Sequence, residues 1–282
     1  MIKLVECPRD AMQGWPHLIS TETKIKYLNQ LLKVGFDTLD FGSFVSPKAI
    51  PQMADTKDVI AGLDLSNTKS KLLAIIANRR GADDAVAFDE INYLGFPFSI
   101  SPTFQKRNAN STIEDSLKTV EEIQNLCIKK NKELVVYISM GFGNPYGDEY
   151  HTDLVNEWIQ KIIDVGVKTI SVADTVGIAT PELVSDVMND VVNSFKEVEI
   201  GVHLHSAPNN RIEKLVAAIN AGVKRFDSAI LGIGGCPMAG NDLIGNMDTG
   251  ISIDHFLNSG YNLNLNMKEL KEAETMAASI FI

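Results

Sequence analysis

Residues Thr169–His205, TISVADTVGIATPELVSDVMNDVVNSFKEVEIGVHLH, contain one complete strand–helix–strand unit. The apolar runs predict strands over Thr169–Ala173 and Glu199–His203. Between them, Thr180-Pro181-Glu182 is a strong helix start, with an N-cap threonine, proline at the first helical position and then an acid. This helix is predicted to end near Ser194. Such a unit is typical of an α/β protein with a parallel sheet.

The same alternation of strand and helix recurs along the whole chain. Six further strands are predicted over Ile2–Glu6, Thr38–Phe41, Lys71–Ile76, Glu90–Phe96, Glu133–Ser139 and Arg225–Ser228. Eight strands in 282 residues match a closed (β/α)8 TIM barrel better than an open doubly wound sheet. We therefore predict a single α/β barrel domain over residues 1–282, with additional C-terminal helices. The segment Ser99–Asn110 is predicted to be a polar loop.

The composition excludes several classes of function. A formal net charge of −10 argues against non-specific nucleic-acid binding, because no basic stripe is available to neutralise phosphates. No run of about 18 apolar residues is present, so no membrane span is expected. The three cysteines, Cys7, Cys127 and Cys236, are widely spaced and lack a Cys-x-x-Cys pair. A disulfide framework is therefore not expected, and a cytoplasmic setting is predicted.

Two histidines stand at the end of the seventh predicted strand. His203 and His205 are one residue apart, so their side chains point to the same side of the strand. Imidazole is the commonest metal ligand among side chains. An isolated pair of this kind is more often a core histidine beside a surface one. A metal site is therefore predicted only if the fold brings further ligands to the pair.

The predicted barrel does bring other polar segments to these histidines. Arg9-Asp10 follows the first strand, Asp40 and Ser43 end or follow the second, and the glycine-rich loop beginning at Gly232 follows the eighth. Loops after the strands of a TIM barrel gather on one face, where active sites lie. The first, second, seventh and eighth strands are neighbours in a closed ring. Segments from both ends of the chain are thus predicted to meet.

A mixed set of nitrogen and oxygen ligands is available at this face. It comprises the Asp10 carboxylate, the two imidazoles and a side-chain amide from the last loop, either Asn246 or Asn241. Such a set suits Mg²⁺ or Mn²⁺ better than a closed structural zinc site. We therefore predict a divalent metal cofactor with room left for substrate oxygens.

Two further side chains at the same face have two interpretations each. Arg9 is either a fixed cation for negative charge that develops on a substrate oxygen, or a simple ion-pair partner of Asp10, Asp40 or Glu6. Cys236 lies in the glycine-rich loop, where its thiol either carries a proton or is a bystander. The spacing of the residues does not decide between these interpretations.

Five segments carry a resemblance to a known family. They are Pro8-Arg9-Asp10-x-x-Gln13, Ser43-Phe44-Val45-Ser46-Pro47-Lys48-x-x-Pro51-Gln52-Met53, Asp174-Thr175-x-Gly177 with Thr180-Pro181, Val202-His203-x-His205 and Gly232-x-Gly234-Gly235-Cys236-Pro237. Together they resemble the 3-hydroxy-3-methylglutaryl-CoA (HMG-CoA) lyases, metallolyases with a TIM-barrel fold. The resemblance spans essentially the whole chain.

The resemblance implies metal-dependent retro-aldol cleavage of HMG-CoA to acetyl-CoA and acetoacetate. The implied metal ligands are Asp10, His203, His205 and Asn246. The implied catalytic residues are Arg9 for the enolate-like transition state, Cys236 as proton donor, and Asp40 in place of an acidic residue of the family. Contacts to the acyl-CoA substrate are expected from Gln13, Ser43, Lys48 and Asn108. The resemblance also implies a homodimer.

Three departures from the family pattern leave other functions open. Asp40 replaces a glutamate, Ser206 follows the second histidine where the family has an aspartate, and Gly250 replaces a glutamate. The alternatives are a lyase or a Claisen-type synthase for a related 3-hydroxyacyl-CoA or 2-oxo acid, and a homologue without catalytic activity.

Overall fold

Eight parallel strands close into a barrel in the computed structural model, which describes residues 1–235 and 244–282. In chain order, β1 to β8 span Lys3–Glu6, Thr38–Ser43, Lys71–Ile75, Ile91–Ser99, Glu133–Ser139, Thr169–Ala173, Glu199–His203 and Arg225–Ser228. Each strand pairs with the next, and β8 pairs with β1, so that Leu4 lies opposite Phe226. The predicted TIM barrel is confirmed.

Helices follow the strands on the outside of the barrel. In chain order, α1 to α11 span Pro8–Gln13, Thr21–Val34, Thr56–Ala61, Arg79–Ala85, Pro102–Ala109, Ile113–Lys129, Thr152–Asp164, Pro181–Ser194, Arg211–Asn220, Thr249–Asn258 and Met267–Ile280. Helix α10 follows β8 as the eighth barrel helix, so the additional C-terminal helix is α11. It packs on α2, where Gln30 Nε2 donates to Glu269 O over 3.0 Å. No helix in the described part of the chain has the length and apolar composition needed to cross a bilayer.

Helix α8 illustrates how local sequence produces this packing. The Thr180 side chain accepts a hydrogen bond from Leu183 N, as expected of an N-cap. Pro181 occupies the first helical position, where its missing N–H has no helical partner to lose. The helix buries one apolar stripe against the strands, made of Val184, Val187, Met188 and Val191. Both the start and the end of this helix agree with the prediction.

The predicted polar loop Ser99–Asn110 is wrong over most of its length. Strand β4 continues to Ser99, and α5 occupies Pro102–Ala109. Ser101 caps α5 by accepting from Phe104 N over 3.1 Å. Asp148, from the loop after β5, holds the start of the helix by accepting from Thr103 N and Thr103 Oγ1. Only Phe104 and Gln105 of α5 are buried, so the sequence carries no helical apolar period.

A buried glutamate joins β1 to the segment that follows β8. Glu6 Oε1 accepts from Ile230 N over 2.9 Å, and Glu6 Oε2 accepts from Thr249 Oγ1. Ile230 and Thr249 lie on either side of the glycine-rich loop. Burial raises the pKa of Glu6 to about 8, even though both hydrogen bonds act in the opposite direction. One carboxyl group therefore fastens both ends of the loop to the first strand.

The raised pKa of Glu6 predicts a pH-dependent stability. From about pH 4.5 to about pH 8 the folded protein holds a proton that the unfolded chain has lost. The stability that this proton contributes is complete below about pH 4.5 and is lost as the pH rises through about 8. In the wild type, Glu6 should make the free energy of unfolding fall by about 1.4 kcal/mol per pH unit over this window. Glu6→Gln should lack this contribution to the slope. Urea unfolding at a series of pH values measures the slope.

The control for this experiment is Glu121→Gln, which changes an exposed carboxylate on α6. It should leave the slope of the wild type in place. A Glu6→Gln protein with the wild-type slope would show that Glu6 is ionised in the folded state.

Candidate active site

The carboxyl ends of β1 and β7 bring three of the predicted metal ligands together. Asp10 lies in the first turn of α1, His203 ends β7, and His205 follows two residues later. One donor atom from each of the three lies within 4.8 Å of the others. The two imidazole rings meet edge to face with their centroids 5.2 Å apart. Helix α1 begins directly after β1 because Pro8 occupies its first position, and this places Asp10 above the barrel mouth.

The hydrogen bonds of His205 define which of its nitrogens is free. Its Nδ1 lies 2.8 Å from Asp174 O and 3.1 Å from Thr175 O. Both partners are acceptors, so Nδ1 carries the proton and Nε2 keeps its lone pair. Nε2 is buried and has no hydrogen-bond partner among the described residues. Burial, and then the neighbouring His203, lower the pKa of His205. The residue thus presents a neutral ring nitrogen, the form that ligates a metal.

His203 is oriented by a buried carboxylate. Its Nδ1 lies 3.2 Å from Asp227 Oδ2 on β8. A carboxylate on the far nitrogen of a metal-binding histidine fixes the orientation of the ring. Cys7, His203 and Asp227 also have donor atoms within 4.8 Å of one another. Burial, and then the charge of Asp227, raise the pKa of Cys7 well above its usual value, and its thiol donates to Val5 O. The side of His203 that faces Asp10 therefore suits a cation better than the side that faces Cys7.

A network of charged groups surrounds Asp10. Arg9 Nη1 donates to Asp10 Oδ1 over 2.9 Å and to Gln13 Oε1 over 2.8 Å. Gln13 Nε2 donates to the same Asp10 oxygen. Burial acts to raise the pKa of Asp10, but the charge of Arg9 and then of the histidines outweighs it, so the pKa lies below its usual value. Asp10 is therefore an ionised carboxylate.

Asp40 holds Arg9 from the other side. Arg9 donates to the Asp40 carboxylate through Nε, at 3.0 Å, and through Nη2, at 2.6 Å. Burial raises the pKa of Asp40 to about 6, against the opposing effect of Arg9. Burial acts to lower the pKa of Arg9, but Asp40 and Asp10 outweigh it, so Arg9 stays charged. A guanidinium has five N–H groups, and four of them are engaged within the described residues. One N–H of Nη2 is left without a partner among the described residues.

Asn246, one of the two amides offered by the sequence, lies against Asp10. Its Nδ2 donates to Asp10 Oδ2 over 2.7 Å and to Ile233 O over 2.8 Å. A single antiparallel bridge pairs its backbone with His205. In this orientation the amide nitrogen faces Asp10, and Oδ1 is the atom that would ligate a cation. The alternative ligand Asn241 and the predicted proton donor Cys236 lie outside the described residues.

The predicted substrate contacts divide into two groups. Gln13 belongs to the network around Asp10, and Ser43 is buried at the end of β2. Ser43 also borders a cavity of about 240 Å³ whose wall includes Lys57 and Arg80. Lys48, in the loop after β2, and Asn108, in α5, are exposed. Neither makes a side-chain hydrogen bond within residues 1–235 and 244–282, so neither joins the group around Asp10.

Sequence reasoning assigned no role to three buried groups that contact the histidines. These are the carbonyl of Asp174, the carboxylate of Asp227 and the ammonium of Lys214, which donates to the His205 carbonyl. Asp227 could have been found as a charged residue inside the short strand β8. Lys214 lies beside Leu215 on the buried stripe of α9, a position that does not identify its partner. Asp174 had no signal beyond its place in a family segment.

Comparisons with known proteins show which proteins this chain is similar to. The HMGL-like family model matches residues 2–276. Hydroxymethylglutaryl-CoA lyase YngG of Bacillus subtilis is 32% identical over 232 residues, which cover 82% of this chain and 77% of that protein. The crystal structure of the B. subtilis HMG-CoA lyase has a TM-score of 0.92 at 29% identity, with 99% of this chain and 93% of that chain covered. An HMG-CoA lyase of Acinetobacter baumannii, in complex with coenzyme A and 3-methylmalate, has a TM-score of 0.91 at 28% identity, covering 100% and 91%.

Gly234 allows the close approach of Asn246 to Asp10. Its φ is +103°, and a Cβ at this position would lie 2.5 Å from Asn246 Nδ2 and 2.9 Å from Asp10 O. Gly234→Ala should therefore displace the amide and weaken Mn²⁺ binding about 10–100-fold, as changes around metal ligands commonly do. Electron paramagnetic resonance of free Mn²⁺ during a titration measures the affinity. Gly147→Ala is the matched control, because Gly147 also has a positive φ of +76° but nothing within 4 Å of its added Cβ. Equal losses in the two variants would contradict the role of Gly234.

Proposed function

This chain belongs to the HMGL-like family, and we propose that it is a carbon–carbon lyase that cleaves HMG-CoA to acetyl-CoA and acetoacetate. The observation that carries the proposal is the convergence of Asp10, His203 and His205 beside the guanidinium of Arg9. The relatives described above are named as HMG-CoA lyases, and one was solved with coenzyme A. None of them favours a synthase, a different acyl-CoA or a non-catalytic protein.

Asp10, His203, His205 and Asn246 would hold the metal. A divalent cation supplies positive charge that polarises the hydroxyl and carboxylate oxygens of the substrate. The free, buried Nε2 of His205 and the ionised carboxylate of Asp10 support this donor set. One carboxylate, two imidazoles and one amide suit Mg²⁺ or Mn²⁺.

The proposed reaction breaks one carbon–carbon bond. The 3-hydroxyl gives its proton to solvent water, and the oxygen's electron pair forms the ketone of acetoacetate while the C2–C3 bond breaks. The electrons of that bond pass into the thioester and give the enolate of acetyl-CoA, which then gains a proton at carbon. Arg9, with one N–H left, is the proposed partner of the enolate oxygen. Cys236 is the proposed donor of the final proton.

The remaining residues have supporting roles in this proposal. Asp40 holds the guanidinium plane of Arg9 through two hydrogen bonds. Gln13 accepts from Arg9 and donates to Asp10, and so keeps the two side chains in position. Ser43, Lys48 and Asn108 are proposed contacts for the CoA part of the substrate, at the face to which β2 and β4 lead. A single domain, a homodimer and a cytoplasmic location also stay predictions from the sequence.

The decisive test of the function is metal-dependent formation of both products. The purified protein should convert HMG-CoA to equal amounts of acetyl-CoA and acetoacetate, should lose activity in EDTA and should regain it with Mg²⁺ or Mn²⁺. His203→Ala should lose bound metal and turnover together, because it removes a ligand. His17→Ala, which removes an exposed imidazole, is the control. Full metal content in His203→Ala would falsify the ligand assignment, and the absence of both products from wild type would refute the proposed function.

Arg9 should separate turnover from metal binding. Arg9→Gln removes the cation proposed for the enolate oxygen, so kcat should fall about 10²–10³-fold. The metal should remain, because its four proposed ligands are unchanged and the bound cation itself favours the ionised form of Asp10. Product formation and Mn²⁺ affinity are measured on the same preparation, with Arg9→Lys as the variant that keeps the charge. Loss of metal in proportion to turnover would mean that Arg9 acts only through Asp10.

A further inference from the structure

Lys214 is a fully buried lysine on α9, beneath the proposed metal site. Its side chain is 0% exposed, and the carboxylate that it contacts, Asp174, is 1% exposed. The ammonium donates to Asp174 Oδ2 over 2.8 Å, to His205 O over 2.8 Å and to Gly177 O over 3.4 Å. All three of its donors are therefore in use. Burying such a charge is costly unless it is paired and hydrogen-bonded in this way.

The contacts of Lys214 form a closed ring of hydrogen bonds that includes the His205 imidazole. From the ammonium, the ring passes to the Asp174 carboxylate, along that residue to its carbonyl and across to His205 Nδ1. It returns from His205 O to the ammonium. Asp174 N also donates to His203 O over 2.9 Å. One residue, Asp174, thus touches both histidines, and Lys214 determines where its side chain lies.

The turn after β6 is held by the same pair. Asp174 Oδ1 accepts from Ala179 N, and Asp174 O accepts from Gly177 N. Gly177 has a φ of +71°, which closes the turn around the carboxylate. Without the ammonium, a buried carboxylate would be left unpaired at this point, which is strongly destabilising. The turn would have to open to admit water, and the acceptor of His205 Nδ1 would move with it.

From this geometry we propose that Lys214 is a positioning residue that holds His205 Nε2 toward Asp10 and His203. Lys214 acts through Asp174 and through the His205 carbonyl, and it touches neither the metal nor the substrate. The inference rests on the metal site of the proposed function but not on the identity of the thioester. It extends the site to α9, a helix that carries none of the predicted ligands.

Two physical effects predict opposite results when Lys214 is replaced. If the ammonium acted only as a nearby positive charge, its removal would strengthen the binding of a cation, because like charges repel. If it positions His205, its removal weakens cation binding although a repelling charge has gone. The sign of the change in Mn²⁺ affinity therefore decides between the two.

The test compares Mn²⁺ binding and thermal stability in Lys214→Met. We expect the dissociation constant for Mn²⁺ to rise about 10–100-fold, as for other residues that orient metal ligands. Lys24→Met is the matched control. Lys24 lies on α2, is 3% exposed and forms an ion pair with Asp55 over 2.7 Å. It should lower the melting temperature comparably and leave the Mn²⁺ affinity within about twofold of wild type. An unchanged or tighter affinity in Lys214→Met overturns the inference.

A double variant separates positioning from simple charge neutralisation. Asp174→Asn with Lys214→Met leaves no unpaired charge, so much of the lost stability should return. Mn²⁺ binding should stay weak, because the His205 carbonyl still lacks its donor. Recovery of both stability and affinity overturns the inference. If wild type itself bound no Mn²⁺, the metal site of the proposed function would fail first. If wild type bound Mn²⁺ and Lys214→Met bound it equally well, the proposed function would stand and only the positioning role of Lys214 would be refuted.

Discussion

The pairing of β8 with β1 is the constraint on which the site depends. The first strand and the last are about 220 residues apart in the chain, and four register pairs join them, from Lys3 opposite Arg225 to Glu6 opposite Ser228. Only a closed ring gives both strands a full set of backbone partners, because an open sheet would leave two unpaired edges. The same closure places Asp10 beside the end of β7. Without it, a carboxylate from the N-terminus and two imidazoles from the last third of the chain could not share one ion.

Charge compensation is the second condition, because the site lies in a region of low dielectric. Arg9 is shared between Asp40 and Asp10, and Lys214 lies against Asp174. Each of these carboxylates would be costly to bury alone, and each is paired with a cation from another residue of the same rim. Among the described residues, the pairing leaves the Nε2 of His205, Oδ1 of Asp227 and one N–H of Arg9 without a partner. The Nε2 of His205 and the N–H of Arg9 are the two groups that the proposed function directs at the metal and the substrate.

The part of the site that follows from strand order could be predicted, and the part that depends on tertiary contacts could not. The alternation of predicted strands and helices indicates the barrel. The order of the strands in the barrel is enough to place Asp10 near His203. Helix α5 escaped prediction because it buries only two residues, too few for a helical period. Lys214 escaped because its partner Asp174 is 40 residues away in sequence. A lysine beside an apolar stripe ordinarily extends its ammonium to solvent, and only the folded structure shows a buried partner.

The three departures from the family pattern lie outside the proposed metal ligands. Each departing residue is in contact with, or close to, a charged side chain of a neighbouring element. Asp40 is one methylene shorter than the glutamate of the family, yet Arg9 still reaches it through two nitrogens. Ser206 accepts from Arg211 Nε over 3.2 Å. At Gly250 a Cβ would lie 3.1 Å from Glu274 Oε1, so a carboxylate from α11 lies beside the position where the family has one. An ion constrains the direction of its ligands closely, whereas surrounding charge can come from any nearby element. The inner residues of this chain therefore keep the family pattern while the outer ones have changed.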